Sequence, residues 1–179
     1  MGTKTPLELL TVEHSRPLER FERTNRAFFA ACIGDRGDDY FEDFDDRVAL
    51  RVAENVAATS LYFVLLDLDG EVLGRINLSD LHGPGPTELG FRIAEHAQGR
   101  GLATSGVTEA LEIAAGRGVT TVVARAAVVN AVSRRVLQRC GLVSTGGAQV
   151  PDGASGPFVG YRRDLGASGS ADVSRRPAG

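Results

Sequence analysis

Tryptophan is absent from the 179 residues, methionine occurs once, and cysteine only twice, as Cys32 and Cys140. Two cysteines so far apart lack any spacing typical of metal ligands or a redox pair, so both read as reduced core residues of a cytoplasmic protein. Histidine is nearly as scarce. His14, His82 and His96 are scattered and offer no ligand spacing for a metal. Charge of one sign is also missing: the formal net charge is -3, with acids and bases interspersed. A nucleic-acid surface needs a basic stripe, so nucleic acid is excluded as the expected partner. No run approaches the roughly 20 apolar residues of a membrane span, and the polar start MGTKTPLE lacks the apolar core of a secretion signal. The expectation is one domain over 1–165 with no membrane partner. A tail over 166–179, rich in Gly, Ser and Ala, has too few apolar anchors to order.

Hydrophobic patterning supplies the elements. LELLTVEH alternates as a first strand, and PLERFERTNRAFFAAC brings Leu18, Phe21, Phe28 and Cys32 onto one helical stripe. In DRVALRVAENVAA, Val48, Val52 and Val56 recur every four residues, as on the inner face of a helix. Two β-rich runs flank Asp69-Gly70, a pair suited to the positive φ angles of a tight hairpin turn. TELGFRI follows as a strand with Leu89, Phe91 and Ile93 on one side and Glu88, Gly90 and Arg92 on the other. Residues 101–115 read as a helix stopped by Gly116 and Gly118, and TTVVARAAVV as a strand buried on both faces. Asn130 then caps a helix with Val132, Val136, Leu137 and Cys140 facing inward, ended by Gly141. LVSTGG and FVGYRRDL read as closing strands, and the alternation of strands and helices gives an α/β fold class.

Glycine is what the chain has in quantity, and its placing in HAQGRGLATSGVTEAL is specific. Between a strand and a helix, QGRGLA leaves several main-chain N–H groups without intrahelical partners, where the helix dipole adds partial positive charge. Gly99 and Gly101 let an oxygen-rich group approach the main chain, and Arg100 adds a full charge, which suits a diphosphate. Glycines that merely make the turn, with Thr104 or Ser105 solvating the helix end, fit the same letters. A dinucleotide fingerprint would need glycine at Thr104, and a Walker loop would need Gly-Lys-Ser/Thr, so neither ordinary nucleotide motif applies.

Gln98-Gly99-Arg100-Gly101-Leu102-Ala103 resembles the Arg/Gln-x-x-Gly-x-Gly/Ala signature of the GNAT superfamily of acyl-CoA-dependent N-acyltransferases. NAVSRRVLQRCGL, residues 130–142, is similar to the Asn-containing helix and Gly-Phe turn that follow it, with Leu142 in place of Phe. With ELGFRI, the two segments look most like the RimJ/RimL branch, whose members acetylate protein N-termini and, in related cases, small amines. The resemblance covers 7–165 and is strongest over 88–142. It implies a GNAT fold: a twisted mixed sheet splayed between its fourth and fifth strands, ELGFRI and TTVVARAA, and flanked by helices. Acetyl-CoA is the implied donor, with a protein N-terminus or a small amine as acceptor. A homodimer is compatible with relatives that pair through sheet edges or helices.

The residue roles that follow are also implied by the resemblance. The diphosphate would sit on amides of Gly99, Arg100, Gly101, Leu102, Ala103 and Thr104 beside Gln98, and the pantetheine arm against strand backbone at Phe91, Arg92 and Ile93. Asn130 would reach the arm from the opposite side, and Arg135 the ribose phosphate; a plain helix cap and a solvated face suit the same two residues. A neutral amine would attack the thioester, with Glu88 as base through a water and Ser133 donating a proton to the thiolate. A salt bridge for Glu88 and an ordinary helix serine at 133 stay open. The tyrosine that other branches carry seven residues after the Asn is Leu137 here, and Tyr161 is a substitute only if it is not a packed tyrosine with a bonded tip. The acidic run DDYFEDFDD would steer a cationic acceptor or form a solvated loop. Phe28, Phe29, Tyr40 and Phe41 would line an acceptor pocket or pack in the core.

Overall fold

The two apolar runs around Asp69-Gly70 pair as antiparallel strands β2 (Leu61–Leu66) and β3 (Val72–Ser79). The turn between them differs from the expected one. Only Gly70 takes a positive φ, +80°, while the Asp67 carbonyl accepts from Gly70 N–H and the Asp67 side chain from the Asp69 and Glu71 amides. The connection is therefore a three-residue loop with glycine in the left-handed position, and the Asp67 carboxylate organises it.

The computed structural model describes residues 5–166, where β1 (Leu7–Leu9), β2, β3, β4 (Thr87–Ile93), β5 (Thr121–Ala127), β6 (Val143–Ala148) and β7 (Phe158–Asp164) form one sheet. Its order is β1-β2-β3-β4-β5-β7-β6, antiparallel except for the β4–β5 pair. Parallel neighbours need a long crossover, which α5 (Leu102–Gly116) provides. On one face α5 lies against β3 and β4. On the other lie α1 (Ser15–Thr24) and α4 (Phe44–Ala57). Covered on both sides, β2 is almost wholly apolar and β3 carries a buried Arg75 among its apolar residues, with Leu61, Leu65, Ile76 and Leu78 fully buried. Gly106 of α5 is as small as it must be: a Cβ there would lie 2.5 Å from Ile76 Cδ1.

The N-terminal third departs from a simple periodic reading. The long helix expected over 17–32 breaks at Asn25 into α1 and α2 (Arg26–Ile33). Asn25 is buried; its Nδ2 donates to Phe21 O (2.9 Å) and its Oδ1 accepts from Glu95 N–H (2.8 Å). The side chain competes for main-chain partners and ties the break to the turn after β4. In α4, Val48 is buried and Val56 is 84% exposed. A four-residue step overshoots the helical repeat by about 40°, so two steps carry Val56 off the core face. Tyr40 and Phe41 of α3 (Asp39–Glu42) pack with Phe44 in the core. Of the acidic run and its neighbours, Asp35 and Asp38 pair with Arg26, and Asp45 accepts from Ser15.

Of the expected tail, all but Gly166 lies outside the described residues. Among the described residues no helix is long and apolar enough to cross a membrane, and no three His, Cys, Asp or Glu converge as a metal site.

Candidate active site

β4 and β5 pair only over Thr87↔Val122, Glu88↔Val123 and Leu89↔Ala124. Beyond Leu89 the strands diverge, so on that side the backbone of Gly90, Phe91, Arg92 and Ile93 has no partner strand among the described residues. The opening holds a cavity of about 330 Å³. Leu89, Gly90, Phe91, Arg92 and Ile93 form one wall, and Arg125, Ala126 and Ala127 with Asn130 and Ser133 the other. α2 closes the far end with Phe28, Phe29, Cys32 and Ile33. β5 is thus not buried on both faces as expected: Arg125 is exposed, as is Val129 just past the strand's end, because this stretch borders the opening. Val132, expected in the core, is half exposed and also lines the cavity.

The glycine-rich turn sits where β4 hands over to α5. Gly99 and Gly101 both take left-handed φ, +76° and +77°, and an added Cβ at either would meet nothing within 4 Å. Glycine is needed here for backbone conformation rather than for space. Ser105 N–H is the first to bond back, to Gly101 O at 3.0 Å, so the amides of Leu102, Ala103 and Thr104 have no intrahelical partner. No side chain caps this end. Gln98 Nε2 donates to Ile93 O (2.9 Å), bracing the end of β4, and Arg100 folds back to His96 O (3.2 Å). A left-handed pair of glycines followed by open amides suits an anion.

On the opposite wall, Asn130 caps α6 (Ala131–Arg139), its Oδ1 accepting from Ser133 N–H at 3.0 Å. Its Nδ2 has no partner among the described residues, and both Asn130 and Ser133 line the cavity. The cap and a ligand contact therefore use different atoms of one side chain. Arg135 is exposed, whereas Arg134 is spent on Tyr161 Oη and Val128 O, both at 3.2 Å. Tyr161 itself is 1% exposed, a packed tyrosine with its tip bonded.

Glu88 stands in the paired part of β4, one residue before the last register. Its Oε1 accepts from Arg125 Nη2 (2.7 Å) and Nε (3.2 Å), and Arg125 Nη1 reaches Gln149 O (3.4 Å). The salt bridge is with Arg125, because Arg92 is engaged elsewhere. Arg92 and Arg75 flank Glu22 of α1 at 2.8 and 2.7 Å, Glu22 and Arg75 buried and Arg92 largely so, with the Arg92 guanidinium over the Phe29 ring. Burial alone would raise the Glu22 pKa, but the two arginines overcome it and hold the carboxyl below its usual range. Burial, then Arg75, pushes Arg92 down to about 9. The charged residues lining the cavity, Arg92 and Arg125, are both cationic.

Sequence reasoning missed Arg125 and the Glu22 cluster. Arg125 had a signal, a lone charge in an apolar strand. Glu22, Arg75 and Arg92 had none, since three distant segments bring them together.

Residues 20–143 match the family model described as the acetyltransferase (GNAT) domain, and the chain belongs to that family of N-acetyltransferase enzymes. Solved structures agree on the fold. Ribosomal-protein-S5-alanine acetyltransferase from Vibrio fischeri is similar with a TM-score of 0.81 and 18% identity, over 89% of this chain and 92% of that one. Mycobacterium smegmatis RimJ, in complex with CoA-disulfide, gives 0.73 and 19% over 88% and 80%. A spermidine N-acetyltransferase SpeG chimera from Vibrio cholerae and hSSAT gives 0.73 and 18% over 91% and 96%. At these identities they share the architecture and leave the acceptor open. No curated protein sequence matches the chain.

Proposed function

We propose that this chain transfers the acetyl group of acetyl-CoA to a primary amine, with a protein N-terminal α-amine as the leading acceptor. The observation that carries the reading is the opening of β4 from β5 beside a helix start with left-handed Gly99 and Gly101 and unbonded amides. When bound, acetyl-CoA supplies the acetyl group as an activated thioester. The amides of 99–104 would hold its phosphates and Arg135 its ribose phosphate. The unpaired β4 edge at Phe91, Arg92 and Ile93 would take its amide-bearing arm as an added strand, with Asn130 Nδ2 on the other side.

In this reading a β4 N–H stabilises negative charge on the acetyl oxygen, Ser133 Oγ gives a proton to the departing thiolate, and Glu88 takes one from the amine through water. A carboxylate is a weak base, which bears on the acceptor. An α-amine with a pKa near 8 is about a tenth neutral at pH 7, whereas a lysine near 10.4 is almost wholly charged. A small-molecule amine is the second reading, favoured by the modest cavity of about 330 Å³. Free thiol is followed with acetyl-CoA and a panel of peptides and amines. The reading expects thiol release on N-terminal peptides, and a loss of about 10²–10⁴-fold in Glu88→Gln with CoA binding kept. Tight CoA binding without thiol release on any acceptor would replace it with a silent acyl-CoA-binding module.

A further inference from the structure

The cavity wall is unusual in its charge. The chain carries a formal net charge of -3, yet among the described residues no carboxylate lines the cavity, and the two charged residues that do are arginines. The two nearest carboxylates are committed: Glu22 to Arg75 and Arg92, and Glu88 to Arg125. Glu22 thus serves two guanidiniums with one charge.

Both cavity arginines have donors to spare. A guanidinium presents five N–H groups. Arg92 uses one, Nη1 to Glu22 Oε2, and the others have no acceptor among the described residues. Arg125 uses three, two on Glu88 and one on Gln149 O, which leaves two. An arginine held among arginines with its donors unmet is short of an anion, and the low pKa of Arg92 agrees. The two also share a side of the sheet. Glu88 lies in register with Val123, and Arg92 and Arg125 follow at even steps along their strands, on the Glu88 face. Between Glu88 and Arg92 stands Gly90, where a Cβ would meet nothing within 4 Å, so the floor between the arginines is clear. Phe28, Phe29 and Ile33 face it from α2.

We propose that the acceptor amine carries a carboxylate, and that Arg92 and Arg125, one on each side of the strand opening, bind it. The inference rests on the acetyl-transfer reading of this cleft and narrows its acceptor. A planar carboxylate suits a guanidinium edge, and a polyamine would meet two cations with no acid to receive it. The carboxylate belongs either to a free α-amino acid or to an acidic residue near a peptide N-terminus.

Two matched pairs separate these sources on the full chain with acetyl-CoA: alanine against alaninamide, and alanyl-glutamate amide against alanyl-glutamine amide, with spermidine as the polycation. In at least one pair the acidic member should have a kcat/KM, expressed per unprotonated amine, ten times or more that of its neutral partner, and the responding pair names the source. Arg125→Gln should bring that ratio close to one, chiefly through KM, and Arg125→Lys should keep part of it. A merely structural role for Arg125 would lower both members alike. Calorimetry of N-acetylalanine and N-acetylalaninamide into the CoA-loaded protein reads the same preference without turnover. A preference for the acid there, with no thiol release on any acceptor, would keep the anion site and remove acetyl transfer. Ratios near one in both pairs and in calorimetry, or spermidine as the best acceptor, would overturn the proposal.

Discussion

The two halves of the cleft are built from different materials. The side read as the donor half is main chain: a strand edge at Gly90, Phe91, Arg92 and Ile93, two left-handed glycines and a helix start. The side toward α1 and α2 is side chain: Glu22 between Arg75 and Arg92, Glu88 held by Arg125, and the Phe28, Phe29 and Ile33 wall. A backbone device is specified within a few residues and tolerates change around it. A buried side-chain cluster depends on every member, and losing one leaves its partners charged and unpaired.

That contrast can be broken most forcefully at Glu22. Glu22→Gln leaves Arg75 and Arg92 buried without their counter-ion and should cost about 3–5 kcal/mol, measured by urea unfolding. The pH dependence follows from the lowered Glu22 pKa. A depressed carboxyl contributes stability that is present above its unfolded value of about 4.3 and is lost as pH falls through its folded value. The unfolding midpoint should therefore drop on acidification below about pH 4, and drop less in Glu22→Gln. If Glu22→Gln unfolds as the parent does, the side-chain half is no more interdependent than the backbone half.

At Gly101 the expected effect is smaller and of another kind. Gly101→Ala places a Cβ at φ +77° with nothing to clash against, so the cost is backbone strain alone, about 1–2 kcal/mol. It should weaken coenzyme A about tenfold in calorimetry by tilting the amides, while Phe91→Leu, which keeps the strand backbone, changes affinity little. Smaller again is Asn130→Ala. It removes the acceptor of Ser133 N–H and should destabilise by about 1 kcal/mol through the lost cap. A loss of coenzyme A affinity beyond that found for other α6 cap variants would assign the free Nδ2 to the ligand.

Legibility followed the same division. The glycine turn, the strand before it and the capped helix after it each carry their cause in adjacent letters, so these elements were readable from the sequence, whereas the exposure of Arg125 and Val132 among them was not. The β4–β5 opening came only with the family resemblance, since no local pattern says where two strands part. The N-terminal third failed where local pattern and tertiary context compete. Asn25 breaks a periodic helix because its side chain has a partner at Glu95, seventy residues on. Val56 keeps the four-residue spacing and still leaves the core. Arg125 hid inside an apolar run, and its meaning depended on Glu88 arriving beside it from another strand.

Amide hydrogen exchange with and without coenzyme A tests the donor half most directly. The account predicts slowed exchange at Gly99, Arg100, Gly101, Leu102, Ala103 and Thr104, together with amides along Gly90, Phe91, Arg92 and Ile93, and little change in α4. Protection confined to other segments, or none at saturating coenzyme A, would contradict it.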